Sequence, residues 1–191
     1  MKKIIPIVVI KNIEDTIPIL SALRDGGINC AEITFRTPCA REALALAVEA
    51  FPDMDIGAGT IISRAQCLSA IEVGAKFIVS PGFSDDVAKI CVEEPIPYYP
   101  GCVTPTEVMS ALHYGLTTIK FFPAGLSGGL KAIKALAAVF PELHFIPTGG
   151  VNPGNIREYL DYDKVVGVGG TWLLDGDIVA NCEEVLRICE S

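Results

Sequence analysis

Short apolar runs rich in β-branched and aromatic residues alternate along this chain with segments of helical periodicity. The runs fall at 4–10, 30–35, 55–59, 77–80, 97–100, 117–122, 144–147 and 164–168. Continuous apolar runs of this length fit strands buried on both faces of a parallel sheet. Between them, the segment from Asp15 to Leu23 carries Ile17, Leu20 and Leu23 at helical spacing and stops at Gly26-Gly27. Pro38 to Phe51 is an Ala/Leu/Glu-rich helical segment that opens with proline. A first helical turn accepts proline because the N–H it lacks has no partner there and its φ is already helical. Asn152-Pro153 reads as an N-cap followed by a first-turn proline. Eight strands, each followed by a helix, predict an α/β fold of the (β/α)8 TIM-barrel type, a compact single domain over residues 1–191. At about 24 residues per unit, loops are short and no second domain fits inside them. The runner-up is a doubly wound open sheet, whose Gly-rich dinucleotide fingerprint is missing. Gly167-Val168-Gly169-Gly170-Thr171-Trp172 starts like one and fails at the third glycine.

Composition narrows the classes. Half of the 191 residues are hydrophobic and one-fifth are charged, and the mean hydropathy of +0.44 is high, as strands with two buried faces require. No apolar run reaches membrane-spanning length; Lys, Glu, Gly or Pro interrupts each candidate. The start, Met1-Lys2-Lys3 followed by Ile4 to Ile10, has the charged head and apolar run of a signal peptide. Lys11-Asn12 follows where a small-residue cleavage site would stand, so the run is read as the first core strand and the protein as cytoplasmic. A net charge of −8 argues against a nucleic-acid partner, which calls for a basic face. It also means that an anionic substrate needs locally placed cations and backbone amides. Seven scattered cysteines without a Cys-x-x-Cys pair read as small buried hydrophobes in a reducing compartment. His113 and His144 have no partner at metal-ligand spacing, so no metal site is expected.

One residue disturbs the pattern. Thr117-Thr118-Ile119-Lys120-Phe121-Phe122-Pro123 is an apolar strand with a lysine inside it. Burial disfavours an ammonium and favours the neutral amine, a nucleophile toward carbonyls. The plainer reading is a lysine whose stem packs while its head reaches water. In the second strand, Glu32, Thr34 and Arg36 share one face and Ile33 and Phe35 the other. With the apolar pair toward the helices, the three polar residues point inward. The same rule puts Thr118, Lys120 and Phe122 on one face of strand six. Strands two and six lie opposite each other in an eight-strand barrel, whose interior is only wide enough for side chains to fill. Glu32 and Lys120 therefore project toward each other. A structural ion pair is the alternative, but buried pairs stabilise poorly, and barrel interiors usually hold branched apolar residues. Together, a Glu, an Arg and a Lys there favour catalysis.

Pro147-Thr148-Gly149-Gly150 closes strand seven and Gly169-Gly170-Thr171 closes strand eight. Loops after these strands are where this fold tends to hold phosphate, because glycine lets backbone N–H groups approach an anion. Tight turns alone would also call for glycine. Gly57-Ala58-Gly59-Thr60 and Ser80-Pro81-Gly82 would add a hydroxyl and an apolar wall at the mouth, though each alone reads better as turn chemistry than as site chemistry.

These segments resemble the 2-keto-3-deoxy-6-phosphogluconate (KDPG) and 4-hydroxy-2-oxoglutarate (KHG) aldolases. Gly27 to Arg36 is similar to the family's active-site glutamate motif, and Gly115 through Lys120-Phe121-Phe122-Pro123-Ala124 to Gly128 to its Schiff-base lysine motif. The remaining glycine blocks follow in the family's order over essentially the whole chain. The resemblance implies a class I aldolase, independent of metal and cofactor, on a (β/α)8 barrel and commonly a homotrimer. Its partner would be a small-molecule 2-keto-3-deoxy sugar acid phosphate. By the resemblance, Lys120 forms the imine and Glu32 moves protons. Arg36 and Thr60 hold the pyruvyl carboxylate, Pro81 and Phe122 line its methyl side, and Thr148 lies near the substrate hydroxyls. Gly149, Gly150, Gly170 and Thr171 receive the phosphate. Two departures stand out. The family's helix ahead of strand one is not seen before Lys3-Ile4, which bears on closure of the barrel bottom and on oligomer packing. Thr171 stands where close relatives carry serine, which bears on discrimination between sugar acids. The expected substrate is KDPG, with KHG or the galacto analogue as alternatives and a non-catalytic phosphosugar-binding barrel as the rival from another class.

Overall fold

The apolar runs fold as parallel strands and the periodic segments as helices between them. The computed structural model describes residues 3–190. In order these form β1 (Lys3–Val8), α1 (Thr16–Asp25), β2 (Cys30–Thr34), α2 (Ala40–Ala50), β3 (Asp55–Gly59), α3 (Arg64–Glu72), β4 (Ile78–Val79) and α4 (Asp85–Glu93). The second half continues with β5 (Tyr98–Tyr99), α5 (Pro105–His113), β6 (Thr118–Phe121), α6 (Gly129–Val139), β7 (His144–Pro147), α7 (Ile156–Leu160), β8 (Gly167–Gly170) and α8 (Ile178–Glu190).

The strands form a curled parallel sheet of six, ordered β5-β4-β3-β2-β1-β8, and a parallel pair, β6-β7. Single bridges connect the two: Gly101 with Lys120 on one side, and Phe145 with Val165 and Thr148 with Gly169 on the other. At the first junction the Lys120 N–H donates to the Pro100 carbonyl and the Cys102 N–H to the Lys120 carbonyl, each at 2.9 Å. The predicted ring of eight equal strands is thus observed as six plus two. At the junction of β5 with β6 the reason is local. Pro97 and Pro100 flank β5 and lack an N–H, which keeps β5 to two residues and its link with β6 to a bridge.

Two apolar clusters lie on the two faces of this arrangement. The larger packs Ile33, Ile56, Ile119, Phe121 and Phe145 from the strands against helix residues such as Leu20, Leu23, Leu44, Val87 and Ile133. Each such side chain, fully buried, contributes about 1.5–3 kcal/mol. The smaller joins Ile5, Cys30, Phe77, Val79 and Ile146, from strands of both sheets, on the inner side. At the amino ends of the strands, Ile5, Phe77, Tyr99 and Ile146 help line a mostly apolar cavity of about 370 Å³. The expectation that no helix precedes β1 falls outside the described residues. No helix among the described residues is long and apolar enough to cross a membrane.

Most strands are shorter than the sequence expectation by a residue or two at an end, and three elements start elsewhere. β8 occupies 167–170 rather than 164–168, because its register with β1 pairs Lys3 with Gly167 and Pro6 with Gly170. α2 starts at Ala40, leaving Pro38 in the preceding turn. α7 starts at Ile156; Asn152 does not cap it, since its side-chain oxygen accepts from the Gly154 N–H at 2.9 Å in the turn before.

Candidate active site

Glu32, Arg36 and Lys120 line one cavity towards the carboxyl ends of the strands. β1, β2 and β3 register so that Ile7, Glu32 and Gly57 stand side by side. Glu32 is inward and buried, as the alternation requires, while Ile33 enters the helix-facing core. Past the end of β2, the Phe35 N–H still donates to the Gly59 carbonyl at 2.8 Å, which carries the pairing one residue further and delivers Arg36 to the mouth. Thr34 shares the inward face, yet it stays out of the cavity. It is fully buried and its hydroxyl donates to the Val8 carbonyl at 3.2 Å.

From the other sheet, β6 delivers Lys120. Its residue exposure is 6%, against 3% for Glu32, so water does not screen the pair. Lys120 Nζ lies 3.6 Å from Glu32 Oε2 and 5.4 Å from the centre of the Phe122 ring. At 3.6 Å the two are an ion pair outside hydrogen-bonding distance. Glu32 Oε1 is buried with no hydrogen-bond partner. A carboxylate oxygen in that state is destabilising unless a ligand or water meets it. The room for this carboxylate exists because residue 59 has no side chain: a methyl there would stand 1.8 Å from Glu32 Oε1.

The cavity these groups face has a volume of about 350 Å³, within the usual size range of small-molecule sites. It brings together Glu32, Arg36, Thr60, Pro81, Lys120, Phe122, Thr148, Gly149, Gly150, Gly170 and Thr171, which is every site residue singled out from the sequence. Among the described residues its cations are Arg36 and Lys120. Thr60 is the one non-glycine residue with positive φ among the described residues, at 53°. That conformation costs about 1–3 kcal/mol for such a residue and is found where surrounding structure enforces it. Here the Ser80 hydroxyl donates to the Ile61 carbonyl at 2.6 Å, tying the loop after β3 to the one after β4, where Pro81 forms a wall. At the other side, Gly149 and Gly150 both have positive φ, 84° and 82°, a conformation that favours glycine. The loop they form is fastened to the one after β6 by the Ala124 N–H to the Thr148 carbonyl, 2.8 Å, and the Gly125 N–H to the Gly149 carbonyl, 2.9 Å.

Three further residues line the cavity without having been singled out: Ile7, Val151 and Trp172. Ile7 and Val151 look like ordinary core residues in sequence. Trp172 had a signal, as the chain's single tryptophan directly after Gly169-Gly170-Thr171. Among the described residues, no group of three His, Cys, Asp or Glu side chains is gathered as metal ligands.

The arrangement is a buried amine and a half-satisfied carboxylate at the floor, with an arginine and glycine loops at the mouth. Comparison with known proteins finds a family match along the chain. A family profile described as "Aldolase: KDPG and KHG aldolase" matches residues 1–190. The KHG/KDPG aldolase of Escherichia coli K12 is 40% identical over 174 residues, covering 91% of this chain and 82% of the relative. A crystal structure of the Legionella pneumophila KDPG aldolase, with pyruvate captured as a covalent carbinolamine, superposes with a TM-score of 0.90 at 39% identity, covering 98% of this chain and 92% of that one. The Zymomonas mobilis ZM4 KDPG aldolase, solved with 3-phosphoglycerate, gives a TM-score of 0.91 at 37% identity, covering 100% and 91%. The chain belongs to the KDPG and KHG aldolase family.

Proposed function

We propose that this chain is a class I aldolase that cleaves KDPG to pyruvate and glyceraldehyde 3-phosphate through an imine on Lys120. The observation that carries the reading is the buried Lys120–Glu32 pair, 3.6 Å apart, whose carboxylate keeps one oxygen without a partner. A pair that served stability alone would gain little from such geometry. Lys120, as the free amine, attacks the C2 carbonyl to give a carbinolamine. Glu32 protonates the departing hydroxyl, and water leaves. The iminium then accepts the electron pair of the C3–C4 bond as that bond breaks, while Glu32, directly or through water, takes the C4 hydroxyl proton. Protonation of the enamine at C3 and hydrolysis release pyruvate and restore the amine. Arg36 and Thr60 hold the pyruvyl carboxylate, Pro81 and Phe122 the methyl side, and Thr148 the hydroxyls. Gly149, Gly150, Gly170 and Thr171 receive the phosphate, in loops where this fold tends to bind one.

The two sheets with their bridges are read as one closed (β/α)8 barrel forming a single domain over 1–191. We assign the protein to the cytoplasm as a homotrimer. The double name of the Escherichia coli relative favours one second reading, the same chemistry on KHG. A pyruvate-detecting turnover assay on KDPG, its galacto analogue and KHG, with and without EDTA, tests the aldolase reading and its substrate. Cleavage of KDPG above the other two, unchanged by EDTA, is expected. Substrate binding without turnover on any of them would leave the non-catalytic phosphosugar barrel as the correct reading.

A further inference from the structure

The loops after β7 and β8 bring no cationic side chain of their own into the cavity. Among the described residues its cations are Arg36 and Lys120. Lys120 is at the floor, and Arg36 follows β2, with β1 between it and β8. In a chain of net charge −8, what those loops themselves offer a tail anion is neutral N–H donors. Backbone amides of glycine loops are one source. The structure contains another. Trp172, in a short 3-10 turn at Trp172–Leu174 just after β8, lines the same cavity beside Gly170 and Thr171, and its indole Nε1 is buried without a hydrogen-bond partner. Buried indole N–H groups normally find an acceptor, because an unmet donor loses its hydration for nothing. Gly170 packs against this edge of the ring: a methyl at 170 would stand 2.4 Å from Nε1 and 2.6 Å from Cδ1. Two residues of the cavity lining thus carry a buried polar atom without a partner, Glu32 with its acceptor Oε1 and Trp172 with its donor Nε1.

We propose that the Trp172 indole N–H donates a hydrogen bond to the phosphate of the substrate, and that this contact sets the preference for a phosphorylated tail over a short carboxylate one. The inference rests on the aldolase reading above. In KDPG the phosphate is carried on C6, two carbons beyond the bond that breaks. In KHG the terminal carboxylate is attached directly to C4 and ends short of the loops after β7 and β8. Loss of the N–H should therefore act on one substrate and spare the other.

Because Trp172 is the chain's only tryptophan, biosynthetic replacement of tryptophan by benzothienylalanine changes this position alone, keeping the ring's shape and deleting the N–H. The expected result is a KM for KDPG raised about tenfold to a hundredfold, the weight of one hydrogen bond to a charged group. kcat should stay within about twofold, and both constants for KHG should be unchanged. Trp172→Phe should move the same ratio in the same direction. In the native protein, Trp172 emission should change on titration with inorganic phosphate or 3-phosphoglycerate over the range where each inhibits KDPG cleavage. An unmoved KDPG-to-KHG ratio, whether both substrates suffer alike or neither does, overturns the proposal. So does an emission spectrum indifferent to an inhibiting phosphate. Borohydride capture of pyruvate on Lys120 separates the failures: capture with an unmoved ratio removes the Trp172 contact alone, and no capture in the native chain removes the aldolase reading and this inference with it.

Discussion

Glu32 occupies a space that exists only because residue 59 is glycine. An alanine methyl would overlap its carboxylate at 1.8 Å from Oε1 and 2.2 Å from Cδ, so the side chain would have to leave its place opposite Lys120. Glu32→Gln is expected to slow turnover by about 10²-fold or more, the scale of a lost general acid–base. Gly59→Ala should do the same for a different reason. The double variant should be no slower than Glu32→Gln, because both changes remove one function; losses that multiply would show that Gly59 acts on something other than Glu32. Steady-state kcat for the three variants decides it. At this scale the sequence was informative about charge and poor about shape. A lysine and a glutamate on apolar strands stand out because burial makes them costly. Trp172 and Ile7 were passed over because large apolar residues are the expected filling of a barrel, and only their position in the folded chain separates wall from core.

Elements were legible where apolar periodicity is strong, and their ends less so. All eight strands are found close to the expected places, yet β8 moved from 164–168 to Gly167–Gly170. Lys164-Val165-Val166 has the better β propensity, but tertiary fit outweighs it. The inner face at 169 has no room for a side chain, since a methyl there would stand 2.6 Å from Thr148 Oγ1. Helix starts follow side-chain hydrogen bonds in the same way. α5 begins with a capping box between Thr104 and Glu107. Burial acts to raise the Glu107 carboxyl, but hydrogen bonds from the Val103 N–H and from the Thr104 hydroxyl and N–H outweigh it and hold the group below its ordinary range. A carboxylate depressed in the folded state stabilises above its unfolded pKa of about 4.3 and loses that contribution as pH falls through the lower folded value. The melting temperature of Glu107→Gln should thus trail the native protein most near neutrality, and the gap should narrow below about pH 4. A gap constant across that range would contradict the assignment.

On the scale of the whole molecule, the site exists because two separately hydrogen-bonded sheets meet. Glu32 comes from the sheet of six and Lys120 from the pair, and the junction between them runs through Lys120's own backbone, bonded on both sides to the segment after β5. Strand counting anticipated that the second and sixth strands would face each other. It did not anticipate the two breaks in the ladder, of which the one between β5 and β6 comes from prolines beside β5 rather than from the apolar pattern. The same closure confines Lys120 to a pocket of about 350 Å³ with Glu32 beside it. That confinement is what the account relies on to make this lysine the one that reacts. The most direct test is to incubate the native protein with pyruvate and borohydride and map the modified peptide by mass spectrometry. One reduced pyruvyl group on Lys120, absent from Lys120→Met, is the expected result; an unmodified Lys120, or equal modification of surface lysines, would contradict the imine mechanism.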